Sequence, residues 1–406
     1  MKLYDTIVIG AGAAGLFYGA LSEPGTDSLI IDHSERPGLK LLLSGSGQCN
    51  ITHDGSIKDF ITRYGQNGRY IRSALYGANN LSLVEFLNKN GIKTVTRDDG
   101  KIFPESLKAS EILNMLIKKS EANGFPLLLK EHITDISSDD SDGTYIVKTE
   151  NSSFKTKKLV IAAGGMSYPK TGSDGSLYPL IEKLGIQMIP ARPALVPIYT
   201  HSYGYRSLSG ISFKAVLVRL LENNREIAAQ TGDMLLTHRA FSGPAILDIS
   251  RYADKGHKLE INYIYPVTGQ MAADMIKADF QGNSRELHTY ISRIFKIPDA
   301  FAVKLIENAG ICPYMKTSCT EGDEITKIAE ALTCHRYAVS GTGSFSEAMV
   351  TAGGVSLDEV NLRNMESKKH CNLFFIGEVL DIDGDTGGFN LQFAYSSAMA
   401  AVKNKK

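Results

Sequence analysis

Gly10-Ala-Gly12-Ala-Ala-Gly15 is the feature that most limits what this chain can become. It follows directly on Leu3–Ile9, where Tyr4, Ile7, Val8 and Ile9 favour a buried strand. It opens the helix-compatible run Leu16–Leu21, and Ser28–Ile31 reads as a second strand ending at Asp32, 22 residues after Gly10. Gly10 permits the tight turn, Gly12 lets the backbone meet a pyrophosphate, and Gly15 lets helix and strand pack closely. The helix N-terminus then faces the phosphates, and Asp32 reaches the ribose hydroxyls. A plain glycine turn is the rival reading, but it does not explain the order strand, helix, strand, acid. An acid at this position disfavours a 2′-phosphate, which leaves NAD or FAD.

The rest of the chain decides for FAD. A second glycine-rich loop, KLLLSGSGQCNIT at 40–52, comes just after the ribose acid. Near the C-terminus the apolar run Cys371–Ile376 leads to Gly377-Glu378, then Asp381, and Gly387-Gly388 opens a small-residue helix to about Lys403. NAD has no need for another glycine-rich helix start so late. FAD has a ribityl chain and an isoalloxazine ring to hold, and a positive helix end suits the charge that develops on reduction. The 38 glycines, against a usual ~7% of residues, agree with many close backbone approaches.

Residues 81–90 and 107–123 read as helices, and Phe125–Thr134, Tyr145–Lys148 and Lys158–Ala163 as strands, with turns at Ser137–Gly143 and Asn151-Ser-Ser153. Pro190, Pro193 and Pro197 suggest a boundary. Beyond it Ala194–Tyr199, Phe213–Leu221, Glu226–Gln230 and Lys258–Tyr265 read as strands, and 270–279, 285–295, 300–308 and 323–332 as short helices. The expected fold is α/β: a discontinuous Rossmann-like FAD-binding domain at 1–186 and 346–406, with an inserted domain at 187–345. The insert is read as a β-barrel-like unit (187–268 and 334–345) carrying a helical subdomain at 269–333.

The ordered motifs DTIVIGAGAAGL, KLLLSGSGQCNIT, LVIAAGGMSYPKTGSDG, GDMLLTHRAFSGPAILDIS, MVTAGGV, NMESK and LFFIGEVLDIDGDTGGFNLQFAYSSAMAA resemble the HI0933-like family of bacterial FAD-dependent flavoproteins over nearly the whole chain. The resemblance implies that Gly10, Gly12, Ala13, Ala14 and Gly15 hold the pyrophosphate, and Asp32 with His33 the ribose end. It implies that Lys40, Ser44, Gly45, Gly47, Gln48, Cys49 and Asn50 line the flavin, that Ile133 meets the adenine through its backbone, and that Ala162, Ala163, Gly164 and Gly165 pass the adenosine. Thr351, Gly353, Gly354, Gly377, Glu378, Asp381, Gly387, Gly388, Asn390, Leu391 and Gln392 would close over the ribityl chain and ring. The family's loop commonly reads G-R-K-x-x-x-S-G-G-G-R-C-N, and here Leu39, Ser46 and Gln48 replace Arg, Gly and Arg.

Catalytic groups are less defined. Cys49 has no thiol partner five residues on, where Asp54 stands, so a structural or flavin-facing thiol is favoured over a reactive one. His238, in THRAFSGP, reads as a proton donor or substrate anchor or as a packing loop; Arg239 shares that loop. Tyr168 and Lys170 follow the strand-end glycines and either reach the ring or belong to a crossover loop. His335 and Arg336 read as surface groups, Cys312 and Cys319 as packing cysteines, and Asp98-Asp99 and Asp139-Asp140 as solvated turns. Five cysteines without a C-x-x-C pair indicate neither a disulfide framework nor a zinc site.

The resulting expectation is an FAD-dependent oxidoreductase; the resemblance implies that it reduces a conjugated C=C bond of an organic small molecule, with NAD(P)H as a transient reductant. A flavin oxidase of a small amine or aminoketone and a non-catalytic redox-sensing flavoprotein are the alternatives. Lys+Arg and Asp+Glu both number 44, and no basic stripe is evident, so nucleic acid is not an expected partner. Apolar runs such as Leu159–Ala163 fall far short of the ~18 residues of a membrane helix. No metal and no membrane are expected, and the setting is read as cytoplasmic.

Overall fold

The computed structural model describes residues 1–139, 143–278 and 284–403. The chain forms two compact units, Met1–Pro193 with Ala348–Lys406, and Ala194–Glu347. The turn expected at Ser137–Gly143 and the second carboxylate of Asp139-Asp140 fall partly or wholly outside the described residues.

In the first unit, Leu3–Ile9, Ser28–Ile31, Leu127–Leu128, Ser153–Ile161 and Leu373–Phe375 form a parallel sheet with Leu3–Ile9 at its centre. Ile7 pairs with Leu29 on one side and Leu159 on the other. Such strands are covered on both faces, which explains their unbroken apolar sequences. Ile7, Val8, Ile30, Leu159, Val160 and Phe374 are fully buried. Helix Ala13–Leu21 packs on helices Ala109–Ala122 and Phe389–Val402. At the first contact Ser120 Oγ donates to the Leu16 carbonyl, and a Cβ on Gly19 would lie 2.7 Å from that Oγ. Helix Phe389–Val402 has almost no polar face: Phe393, Tyr395, Ser396, Ser397, Ala398 and Ala401 are all buried. Its small residues allow that close packing.

Local patterning located most elements to within a few residues. The run read as one strand, Phe125–Thr134, is instead two, Leu127–Leu128 and Ile133–Asp139, the second pairing antiparallel with Thr144–Thr149. Pro190 and Pro193 lie within strand Met188–Ala194, which pairs with Val350–Val355.

The second unit contains a closed six-stranded barrel, in order Ile198–Thr200, Phe241–Ser242, Arg225–Leu236, Ser212–Glu222, Lys258–Asn262 and His335–Thr342. Helices Gly269–Ala278, Leu287–Phe295, Asp299–Asn308 and Gly322–Thr333 accompany it. Phe301 joins barrel and helices: its ring lies 4.6 Å from Phe213, 4.8 Å from Tyr263 and 5.5 Å from Tyr205. Two surface assignments are corrected here. Cys312 and Cys319 are exposed rather than packed, because they lie outside the apolar helix faces. His335 is half-buried and stacks on Tyr337 at 4.3 Å, and this burial lowers its pKa. Phe301→Ala is expected to cost the second unit about 3–5 kcal/mol, read as a shifted urea transition.

Candidate cofactor site

The glycine turn has the geometry its spacing requires. Gly10 has φ +109°, and a Cβ there would sit 2.3 Å from the Ala162 carbonyl oxygen. A Cβ on Gly15 would fall 1.9 Å from the Gly10 carbonyl oxygen. Gly12, the N-cap of helix Ala13–Leu21, has open space where its side chain would be. That combination leaves a cradle of backbone amides at a helix N-terminus, which suits a pyrophosphate. Asp32 ends the next strand; its carboxylate accepts from Ala11 N at 2.6 Å and Ser34 N at 2.7 Å. These bonds fix the carboxylate and leave further lone pairs for a ribose.

A cleft opens beside this turn. Gly10, Asp32, His33, Ile133 and Ala163 line it, five of the positions expected at the adenosine end. Glu131, His132, Gly172, Ser176 and Tyr178 line it too and were not expected. Glu131 Oε2 and Tyr178 Oη are buried and have no hydrogen-bond partner among the described residues. Burial pushes the Tyr178 phenol up, and the carboxylates of Glu378 and Asp381 add to the effect. A buried acceptor and a protonated phenol without partners are costly unless a ligand satisfies them. They fit the adenosine part of FAD. Glu131 and His132 escaped notice because they break the strand that periodicity extended through them. Tyr178 escaped because it opens the short helix Tyr178–Lys183, which carries no motif of its own.

The remaining segments meet around one carboxylate. Glu378 accepts from Lys40 Nζ at 2.6 and 2.9 Å, from Ser167 Oγ at 2.8 Å and from Thr351 N at 2.9 Å. Thr351 Oγ1 accepts from Met166 N at 2.7 Å, and a Cβ on Gly165 would meet that oxygen at 2.3 Å. Asp381 accepts from Gly353 N at 2.9 Å. Gly377, at φ +71°, would place a Cβ 2.6 Å from that of Ala14, and Gly388, at φ +93°, one 2.7 Å from the Thr52 backbone. Asn50, with its amide oriented to satisfy its neighbours, accepts from Gly388 N at 3.2 Å. Gln392 is fully buried, its side-chain amide engaged with Thr52, Ala78 and Ser396 and its backbone N–H with the Gly388 carbonyl, so it braces the helix start. Asn390 likewise braces Gly384.

The loop Ser44–Asn50 bends through left-handed backbone at Gly45, Ser46, Gly47 and Cys49. Two of these are not glycine, and strain of this kind concentrates at functional sites. Ser46 stands where the family pattern has glycine, and at φ +57° serine costs more than glycine would. Gln48, where that pattern has arginine, accepts from Arg97 Nη2 at 2.7 Å, so a cation reaches the loop from another segment. Cys49 is fully buried, and burial pushes its thiol up to about 11. Among the other candidates, Tyr168 belongs to the first unit at φ +52° with its phenol raised by burial, whereas His238 is an exposed residue of the second unit. Among the described residues no group of three His, Cys, Asp or Glu side chains could hold a metal ion.

A Rossmann-type domain with this acid, this cradle and these converging glycine segments is the FAD-binding domain of a flavin-dependent oxidoreductase. The family model described as "HI0933-like protein Rossmann domain" matches residues 4–404, and the chain belongs to that family. It is 31% identical over 408 residues to the ribosomal RNA dihydrouridine synthase of Escherichia coli (strain K12), covering 100% of this chain and 98% of that one. It is 26% identical over 408 residues to the 3-dehydro-bile acid delta(4,6)-reductase of Clostridium scindens, covering 97% of each. Its fold is like that of 3-ketosteroid-delta4-(5alpha)-dehydrogenase from Rhodococcus jostii RHA1, with TM-score 0.50, 12% identity, and coverage of 99% of this chain and 97% of that chain.

Asp32→Ala is expected to weaken FAD binding roughly tenfold or more, since a charged hydrogen bond is worth about 1.5–3 kcal/mol; titration of the apoprotein with FAD reads this. Iodoacetamide at pH 8 is expected to label Cys312, Cys319 and Cys371 and to spare Cys49, whose thiol is neutral there, as peptide mass mapping will show.

Proposed function

We propose that this protein reduces a C=C bond conjugated to a carbonyl, and that the bond is C5=C6 of a uracil ring in RNA. The supporting observation is the similarity along the whole chain to two relatives with different named substrates. Making dihydrouridine adds two hydrogens across a bond conjugated with the C4 carbonyl, and a delta(4,6)-reductase saturates a bond in the same electronic setting. The reaction type is common to both names, and the relative with the higher identity favours the pyrimidine.

FAD, when bound, supplies hydride to the electron-poor carbon of such a bond. The chain's part is to hold and shield. The amides at Gly12 receive the pyrophosphate and Asp32 the ribose. Glu131 and Tyr178 take up the adenosine end. Lys40 and Glu378 neutralise each other and keep the loops beside the ring in place. The neighbouring carbon needs a proton. Tyr168 is the favoured donor: burial keeps its phenol protonated at neutral pH, and it belongs to the cofactor-binding unit. His238 is the alternative. One reduced nicotinamide and one proton are consumed for each bond saturated.

A fused-ring unsaturated ketone is the second reading, supported by the Clostridium relative and by the absence of net charge. The test is anaerobic addition of NADH or NADPH to the flavin-loaded protein, followed by unmodified ribosomal RNA or a steroid dienone. Bleaching of the flavin and dihydrouridine in nuclease digests, seen by mass spectrometry, are the expected results. Consumption of the dienone with untouched RNA selects the second reading. A flavin that neither nucleotide bleaches points instead to the oxidase or the non-catalytic protein.

A further inference from the structure

We propose that the exposed ridge Arg63–Tyr76 holds single-stranded RNA beside the cofactor site; this rests on the RNA reading above. Residues 60–84 contain three arginines, Arg63, Arg69 and Arg72, and no acid, in a chain whose charges balance overall. All three arginines are exposed, as are Tyr70 at 43% and Tyr76 at 47%. Large aromatic rings left this open on a folded surface point to a partner.

The arginines and tyrosines are arranged in pairs. The Arg69 guanidinium lies 4.7 Å from the centre of the Tyr70 ring, and that of Arg72 lies 5.4 Å from the Tyr76 ring. Among the described residues neither Arg69 nor Arg72 has a carboxylate partner. Arg69 Nη2 also donates to the Tyr70 hydroxyl at 2.8 Å, so the phosphate donors are the remaining N–H groups of Arg69 and those of Arg72, each beside an aromatic ring on which a base can stack. Proteins that grip single strands combine these two elements. An uncharged steroid has no use for both.

The ridge is tied to the site's own segments. Asn67 Nδ2 donates to the Asp381 carbonyl at 2.8 Å and to its carboxylate at 3.1 Å. Tyr64 Oη donates to the Phe389 carbonyl at 2.8 Å, one residue beyond Gly388. The Arg63 carbonyl accepts from Asp385 N at 2.8 Å, and the Arg63 side chain lies 3.7 Å from the Asp385 carboxylate. Arg69 and Tyr70 thus follow within a few residues on a segment bonded to Asp381, Asp385 and Phe389, on either side of Gly388. A uracil must leave its stack to meet the flavin, and rings that hold the flanking bases offset that loss.

The experiment is fluorescence anisotropy of a labelled uridine-rich single strand on the FAD-loaded full chain. R69A/R72A and Y70A/Y76A are each expected to weaken binding roughly tenfold. The arginine pair should also flatten the slope of log affinity against log salt by about 1.4, at ~0.7 per lost contact, and the tyrosine pair should leave it unchanged. Both variants should keep the flavin spectrum, the thermal midpoint and bleaching by nicotinamide, and R225A, on the barrel, should bind as the parent does. Dihydrouridine formation should fall with binding. If both variants bind RNA and form dihydrouridine as the parent does, the ridge is overturned and the RNA reading survives. If the parent neither binds RNA nor forms dihydrouridine, both fall. Binding to phosphatidylglycerol vesicles in place of RNA, lost in the same variants, overturns the proposal as well.

Discussion

The Glu378 carboxylate is the point on which the glycine-flanked segments of the candidate site converge. Its side chain is about 20% exposed, so ionising it without partners would be costly. Lys40, Ser167 and Thr351 supply the partners, from three segments that sequence keeps far apart. Satisfying one charge thereby draws the loop after the ribose acid, the turn after strand Ser153–Ile161 and the start of strand Val350–Val355 onto the turn that follows Leu373–Phe375. Gly165 is part of the same constraint, since a side chain there would occupy the space of Thr351 and Glu378.

The glycine positions follow from this crowding. Gly10 faces Ala162, Gly15 faces Gly10, Gly377 faces Ala14 and Gly388 faces Thr52, each too close for a Cβ. The backbones approach because the parallel sheet brings the ends of its strands to one edge, where ligands of such folds bind. Amides left without internal partners at that edge become the binding groups. The price is strain, visible in the left-handed Ser46 and Cys49. A buried, protonated Cys49 thiol then helps as packing rather than as a nucleophile.

The cleft at the other end is prepared by orphaned groups instead of by a charge pair. Glu131 Oε2 and Tyr178 Oη lack partners among the described residues, and the stacked rings of His33 and His132, 5.2 Å apart, line the same cleft. The two ends thus differ physically. One is rigid because its polar groups satisfy each other, and the other is receptive because its polar groups do not.

Much of this was legible in the residues. Gly10, Gly12, Gly15 and Asp32 announce a nucleotide-binding turn because each meets a local steric or hydrogen-bonding need, and local needs leave a mark at fixed spacing. Apolar runs mark the parallel strands for the same reason, as covered strands must be apolar throughout. Tertiary structure alone decided the rest. No periodicity reports that Lys40 pairs with Glu378 across 338 positions, or that Glu131 interrupts a strand to line a cleft. Charge balance over the whole chain concealed the unpaired arginines at 69 and 72, because pairing is a matter of which neighbours folding supplies. Half-burial of His335 and exposure of Cys312 and Cys319 went unread for the same reason: a side chain's exposure is set by the neighbours that folding places against it, and those lie elsewhere in the chain.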